Sequence, residues 1–96
     1  MKIDFNRNNE ELTVVLEGRL DTVSAPELDS LLGNKLNGVG SLVFDCTKLV
    51  YVSSAGLRVL LSSHKRMKGA MKLIGVCELV MEVLEMTGFA DILVIE

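Results

Sequence analysis

The hydrophobic positions of the chain follow two different spacings, and the changes between them divide it into strands and helices. A period of two is typical of a half-buried strand, whereas apolar residues three and four positions apart form one face of a helix. Strands are predicted at 2–5, 12–18, 41–46, 71–76 and 92–95, and helices within 20–36, 55–67 and 78–88. This β-β-α-β-α-β-α-β order predicts an α/β fold with a mostly parallel sheet and right-handed crossovers.

The first half of the chain is predicted to form an N-terminal β-hairpin followed by a helix. Residues 6–9, NRNN, have the composition of a turn between the first two strands. In the next segment, Ser24 and Glu27 match a capping box at the start of a helix. The apolar face of that helix consists of Leu28, Leu31, Leu32 and Leu36.

The second half is predicted to contain two further helices. Residues 47–52 are interpreted as a connection between the third strand and a helix that begins near Ala55. His64 lies in the last turn of this helix, where we expect it at the edge of the core. The apolar stripe of the third helix consists of Leu79, Val80, Val83 and Leu84. Across both helices, the side chains expected to be buried are Leu57, Leu60, Leu61, Val83 and Leu84.

Length, composition and charge limit what the chain can be. Its 96 residues suggest a single domain, 1–96, and 49% of them are hydrophobic, enough for a core of its own. The net charge of −3 and the pI of about 5.1 give no reason to expect nucleic acid as a partner. No apolar stretch reaches the roughly 20 residues that span a bilayer, and the N-terminus lacks the apolar segment of a signal peptide.

These features predict a cytoplasmic monomer without direct membrane insertion. Cys46 and Cys77 are far apart in the sequence and match no metal-binding spacing, so we expect both to be buried, reduced thiols. No motif in the chain indicates a cofactor or a metal ion, and none is expected.

Two adjacent serines stand in YVSSAGLRVLL, residues 51–61, between a strand-like run and a helix-like run. Because the carboxyl ends of parallel strands share one edge of an open α/β sheet, this segment should meet the segment that follows strand two. The residues expected on the shared surface are Arg19, Asp21, Ser53, Ser54 and Arg58. A serine hydroxyl here can cap the helix, but the same helix N-terminus also favours a phosphate group. The pattern alone leaves both interpretations open.

A serine nucleophile is a third interpretation of the pair. The sequence VSSAG partly resembles the G-x-S-x-G turn of hydrolases, although Val52 stands where the first glycine should be. The only histidine, His64, is ten residues beyond Ser54 on the same predicted helix, about 15 Å along its axis. Within one chain His64 is too distant to deprotonate Ser54, so we do not expect an enzyme.

Three segments resemble the STAS domain family in its short form, the bacterial anti-sigma factor antagonists. LEGRLDTVSAPEL (16–28) contains the family's G-x-L-D unit after strand two. The family pattern D-x-[ST]-x-x-x-[YF]-[IVM]-x-S-[AGS]-G-[LI] is matched within VFDCTKLVYVSSAGLRVLL (43–61). Near the end of the chain, MTGF (86–89) also matches the family. The three segments fall at family spacing, so the resemblance covers essentially the whole chain and implies a STAS-like fold.

The resemblance also implies a mechanism of partner switching. In the family, the serine at the position of Ser54 is phosphorylated by a serine-kinase anti-sigma factor, and the unphosphorylated antagonist binds that kinase and displaces the sigma factor. Phosphorylation breaks the complex, and a PPM-type phosphatase restores it. In the family, the residue at the position of Asp21 contributes to kinase recognition. The partner-binding residues expected on this basis are Asp21, Ser53, Ser54, Gly56, Leu57 and Arg58.

Two alternatives remain open at this stage. Many family members have aspartate immediately before the phosphorylated serine, whereas this chain has Ser53, which is therefore a second choice of phosphate acceptor. A STAS domain can also act without phosphorylation, for example as a scaffold subunit of a lipid-transporting ABC complex.

Overall fold

Residues 1–96 are all described by the structure, a computed structural model in which strands and helices alternate in the predicted order. The strands are β1 (Lys2–Asn8), β2 (Glu11–Leu20), β3 (Ser41–Val52), β4 (Met71–Ile74) and β5 (Val94–Ile95). The helices are α1 (Ser24–Lys35), α2 (Ser54–Arg66) and α3 (Glu78–Met86). A short 3-10 turn at Phe89–Asp91, which the spacing does not predict, connects α3 to β5.

The five strands form one sheet in the order β1-β2-β3-β4-β5. β1 pairs antiparallel with β2, and the other three pairings are parallel, which confirms the hairpin and the mostly parallel sheet. The predicted turn at 6–9 is wrong, because β1 continues to Asn8 and pairs there with Glu11. The chain instead reverses at Asn9, whose φ of 58° lies in the left-handed region that asparagine tolerates.

All three helices cover the same face of the sheet. Successive crossovers step in one direction across the strand order, and right-handed connections of that kind place their helices on one side. The buried side chains of strands and helices accordingly form one cluster, whereas Val43, on the opposite face, lies outside it. We call that opposite face the outer face. It carries the three ion pairs of the protein, Lys2–Asp4, Lys48–Glu17 and Lys72–Glu96.

The predicted core is confirmed at its centre and is wrong at its margins. Leu57, Leu60 and Leu84 are buried, while Leu61 and Val83 are half-buried. Two leucines assigned to apolar helix faces are exposed instead, Leu31 at 39% and Leu79 at 55%. Each lies about 100° around its helix from a buried neighbour, Leu32 or Val80, and therefore points sideways from the contact with the sheet.

The third strand is twice as long as its apolar run predicts. Residues 47–52 are not a connection, since β3 continues to pair with β2 as far as Leu20 opposite Val52. Two register shifts interrupt this pairing, and beside the first one the carboxylate of Asp45 accepts hydrogen bonds from the Thr47 hydroxyl (2.6 Å) and N–H (3.0 Å). The pairing of β3 with β4 ends at Asp45. The last part of β3 therefore extends beyond β4, beside β2.

The two cysteines are free, as predicted, but only one is fully buried. Burial in the core raises the pKa of the Cys46 thiol to about 12, and the neighbouring charge of Asp45 adds to the rise. Cys77 is half-buried at the start of α3, where its thiol donates to the carbonyl of Leu49 at 3.5 Å. His64 lies half-buried in the last turn of α2.

Candidate functional site

The segments that follow β2 and β3 lie side by side at the carboxyl ends of the parallel strands. The N–H of Ser53 donates to the carbonyl of Leu20 at 2.8 Å, and Leu20 is paired with Val52 at the end of the two strands. Residues 18–24 and 52–58 thus form one continuous surface, which we call the carboxyl edge. The two segments that sequence reasoning brought together are adjacent in the fold.

Gly56 allows the start of α2 to approach the end of β2 closely. A Cβ atom at this position would lie 2.8 Å from both Cγ and the carbonyl oxygen of Leu20, and 2.9 Å from Cγ2 of Val52. Real Cβ contacts are longer than this, so a larger residue would push α2 away from the strands. Glycine therefore sets the distance between the first turn of α2 and the segment that contains Asp21.

The two serines occupy different positions in the helix start. Ser53 is the N-cap of α2, with an extended backbone, and its hydroxyl accepts a hydrogen bond from the N–H of Gly56 at 3.3 Å. Ser54 is the first residue of α2, which begins one residue before the predicted Ala55. Its side chain is exposed, and its hydroxyl takes part in no hydrogen bond within the chain. The capping interpretation of the pair therefore applies to Ser53 alone.

We expect Ser53→Ala to lower the free energy of unfolding by about 0.5–2 kcal/mol, because the N–H of Gly56 loses its capping partner. Ser54→Ala removes no hydrogen bond and is expected to change the stability by less than about 0.5 kcal/mol. Urea denaturation of both variants measures the difference. Equal losses, or a larger loss for Ser54→Ala, would contradict the assignment of the cap to Ser53.

Asp21 organises the segment before α1. Its carboxylate accepts hydrogen bonds from the N–H groups of Val23 (3.0 Å) and Ser24 (3.1 Å), and its own N–H donates to the Ser24 hydroxyl at 2.9 Å. The Ser24 hydroxyl in turn donates to the carbonyl of Arg19 at 2.7 Å. The predicted capping box of Ser24 with Glu27 is wrong, because Ser24 is already inside α1 and Asp21 satisfies its N–H.

The carboxylate of Asp21 is ionised near neutral pH. The hydrogen bond from the Ser24 N–H, followed by that from Val23, lowers the pKa of Asp21 below its ordinary value, and the positive charge of Arg19 acts in the same direction. The guanidinium of Arg19 lies 4.1 Å from the centroid of the Tyr51 ring, a cation–π contact between paired positions of β2 and β3. The carboxyl edge thus presents a fixed negative charge beside the start of α2.

The structure divides the six predicted partner-binding residues into two groups. Ser54 and Arg58 are exposed, and Asp21 and Ser53 are half-buried, so these four reach the surface. Gly56 and Leu57 are buried and position the helix rather than presenting side chains to solvent.

Sequence reasoning missed two residues of this edge, Tyr51 and Val23. Tyr51 stacks with Arg19, but the pair becomes visible only once β3 is known to continue past residue 47. Val23 is 83% exposed in the turn before α1, which makes it an accessible apolar side chain next to Asp21. The sequence does contain a signal for Val23. It is an apolar residue between Asp21 and Ser24, in a turn that is too short to bury it.

No surface cleft and no cluster of metal-binding side chains lies at the carboxyl edge. The three surface clefts lie at the amino ends of the parallel strands, between β1 and the end of α1, and around residues 36–40. No three His, Cys, Asp or Glu side chains come together in a way that could hold a metal ion. None of the helices has both the length and the apolar character needed to cross a membrane.

The chain belongs to the STAS domain family, whose sequence model matches residues 2–96. BtrV of Bordetella bronchiseptica, which is named as an anti-sigma factor antagonist, is 33% identical over 96 residues, covering 96% of this chain and 83% of BtrV. The anti-sigma-B factor antagonist of Bacillus subtilis is 31% identical over 97 residues, covering 97% of this chain and 88% of that protein. These relatives place the chain in the anti-sigma factor antagonist group, whose members are regulatory proteins.

Solved structures share the fold. The anti-sigma factor antagonist SpoIIAA of Bacillus, in its unphosphorylated form, matches with a TM-score of 0.84 at 14% identity, over 99% of this chain and 88% of SpoIIAA. Its phosphorylated form matches with a TM-score of 0.75 at 13% identity, over 99% of this chain and 91% of SpoIIAA. At these identities the similarity shows the fold, an N-terminal hairpin and a parallel sheet with helices.

Proposed function

We propose that this protein is a cytoplasmic anti-sigma factor antagonist that binds a serine-kinase anti-sigma factor through its carboxyl edge. In this proposal, the kinase phosphorylates Ser54 and the complex dissociates, and a PPM-type phosphatase removes the phosphate to restore binding. One observation carries the assignment of the acceptor. The Ser54 hydroxyl is exposed and free, whereas the Ser53 hydroxyl is half-buried and accepts the hydrogen bond of Gly56.

The relatives support the proposed partner. BtrV and the Bacillus subtilis protein, each more than 30% identical to this chain, are both named as anti-sigma factor antagonists, and an anti-sigma factor is the partner that such a name implies. SpoIIAA, whose fold this chain shares, is known in a phosphorylated form and an unphosphorylated form. A STAS fold can therefore carry a phosphate.

The position of Ser54 suits phosphoryl transfer to a partner's active site. The Ser54 oxygen attacks the γ-phosphorus of ATP on the kinase, and the bond from that phosphorus to the oxygen bridging to the β-phosphate breaks. ADP leaves, and the hydroxyl proton passes to a base on the kinase. Because Ser54 is exposed in the first turn of α2, it can enter the active site while buried Gly56 and Leu57 keep the helix in place.

Electrostatic repulsion explains why phosphorylation would end the complex. A phosphate adds about −1.5 to −2 charges at neutral pH. Asp21, on the adjoining segment of the carboxyl edge, is already ionised. An interface that covers both groups would remove water from two negative charges at once, which is costly unless each finds a cation on the partner.

Phosphosite mapping tests this proposal. The kinase is captured from native lysate, with Ser54→Asp as the control bait, and is then incubated with the protein and ATP before mass spectrometry. We expect phosphate on Ser54 in the wild type and in Ser53→Ala, and none in Ser54→Ala. Phosphate found only on Ser53 would contradict the choice of acceptor. A tightly bound kinase that transfers no phosphate would instead favour a scaffold that acts without phosphorylation.

A further inference from the structure

Arg58 lies one helical turn beyond Ser54 on the exposed side of α2. Both side chains are exposed, and the residues between them turn toward the core, with Gly56 and Leu57 buried. Arg58 takes part in none of the three ion pairs of the fold and donates no hydrogen bond within the chain. The helix sequence, SAGLRVLLSSHKR, contains no acidic residue that could pair with it along the same face.

We infer that Arg58 binds the phosphate of phosphorylated Ser54 within the same chain. Residues four apart on an α-helix are neighbours, with Cβ atoms about 5–6 Å apart, and the acidic partner is best placed on the N-terminal side. A guanidinium offers two parallel N–H groups to phosphate oxygens, which makes this pairing stronger than that of two neutral groups. The inference rests on the proposed phosphorylation of Ser54 and assigns a residue that holds the modified state.

Other cations near the site are already engaged or too distant. Arg19 is stacked on Tyr51, and Arg66 donates to the carbonyl of Gly33 at 3.1 Å. Lys65 lies on α2 eleven residues beyond Ser54, about 16 Å along the helix axis. Arg58 is therefore the cation of α2 that can reach the phosphate without leaving the helix surface.

This pairing defines the state of the phosphorylated protein. Arg58 holds the phosphate along the first turns of α2 and offsets part of its charge, so the phosphorylated chain carries an oriented phosphate. The same contact makes Arg58, which is otherwise free for the partner, unavailable to the kinase. Phosphorylation then alters two surface groups of the carboxyl edge rather than one.

The test measures the second pKa of the phosphate by 31P NMR, using protein with phosphoserine encoded at position 54 so that no kinase is needed. A nearby cation favours the dianion and lowers this pKa, so its removal must raise it. We expect Arg58→Gln to raise the pKa by about 0.3 pH unit, the size of a helix ion pair. Lys65→Gln, the matched control, should leave it unchanged, because at 0.15 M salt charges separated by more than about 8 Å are screened. Arg58→Lys should give an intermediate value.

Thermal unfolding of the same proteins supplies a second measurement. The phosphorylated wild type should melt at a higher temperature than phosphorylated Arg58→Gln, and the two unphosphorylated proteins should melt together. Equal phosphate pKa values in Arg58→Gln and Lys65→Gln would overturn the pairing even if the kinase modifies Ser54. If the kinase does not phosphorylate Ser54, the proposed function is wrong, whereas the pairing measured with encoded phosphoserine still holds.

Discussion

Ser54→Asp is expected to weaken binding to the captured kinase by about tenfold or more, whereas Ser54→Ala keeps wild-type affinity. The new carboxylate adds negative charge beside ionised Asp21 in an interface that excludes water, and like charges there cost more than the 1.4 kcal/mol that a factor of ten represents. Alanine leaves no charge and breaks no hydrogen bond of the fold. Titration calorimetry with the isolated kinase measures both affinities.

A matched control separates this local repulsion from a general effect of charge. Asn34 is exposed near the end of α1, ten residues beyond Ser24 and about 15 Å along the helix axis, so Asn34→Asp adds the same charge away from the carboxyl edge. It should bind like the wild type. Ser54→Asp should also melt no earlier than the wild type, because a carboxylate in the first turn is favoured by the helix dipole. Equal binding losses in the two aspartate variants would argue against a contact at Ser54.

Leu60→Ala is expected to lower the free energy of unfolding by about 2–5 kcal/mol, because the substitution leaves a cavity where α2 packs on the sheet. Leu60 is completely buried in the cluster that joins the helices to the strands. A loss of this size is a large part of the stability of so small a domain. Denaturant unfolding, with the slope and the midpoint both recorded, gives the value.

Leu79→Ala is the control for this measurement. The same atoms are removed from a leucine that is 55% exposed, so the expected change is within about 0.5 kcal/mol. If Leu60→Ala unfolds no more easily than Leu79→Ala, then α2 does not pack through the face that contains Leu60.

The order of the elements could be predicted because hydrophobic spacing is a local property. The leucines of α2 and the alternating residues of β2 identify their own structure without knowledge of any distant contact. Right-handed crossovers then left few ways of arranging a β-β-α-β-α-β-α-β chain. The adjacency of the segments that contain Asp21 and Ser54 followed from a further rule, that the carboxyl ends of parallel strands meet at one edge of the sheet.

Features that depend on a distant partner could not be predicted. Residues 47–52 have no strand-like alternation of their own, because the register shifts interrupt it, and their structure comes from pairing with β2. Likewise, Ser24 followed by Glu27 is a sound local signal for a cap. The predicted cap does not form because the turn after β2 brings the carboxylate of Asp21 to the Ser24 N–H.

The assignment of roles to Ser53 and Ser54 depended on a helix boundary that sequence patterns locate only within a few residues. If α2 began at Ala55, Ser54 would be the N-cap. Because α2 begins at Ser54, Ser53 is the N-cap and the Ser54 hydroxyl is free. The sequence left open which of the two hydroxyls caps the helix, and the backbone geometry of Ser53 was needed to tell them apart.

The ion-paired outer face has a practical use in experiments on the proposed phosphorylation of Ser54. Its side chains belong to the strands and point away from the helices. A dye or a surface linker attached through Lys72, which pairs with Val43 near the amino ends of the parallel strands, would leave Ser54 and Arg58 facing the solution. Immobilised in that orientation, the protein can be examined for the proposed capture of a kinase and its release on phosphorylation, through repeated cycles of modification and dephosphorylation.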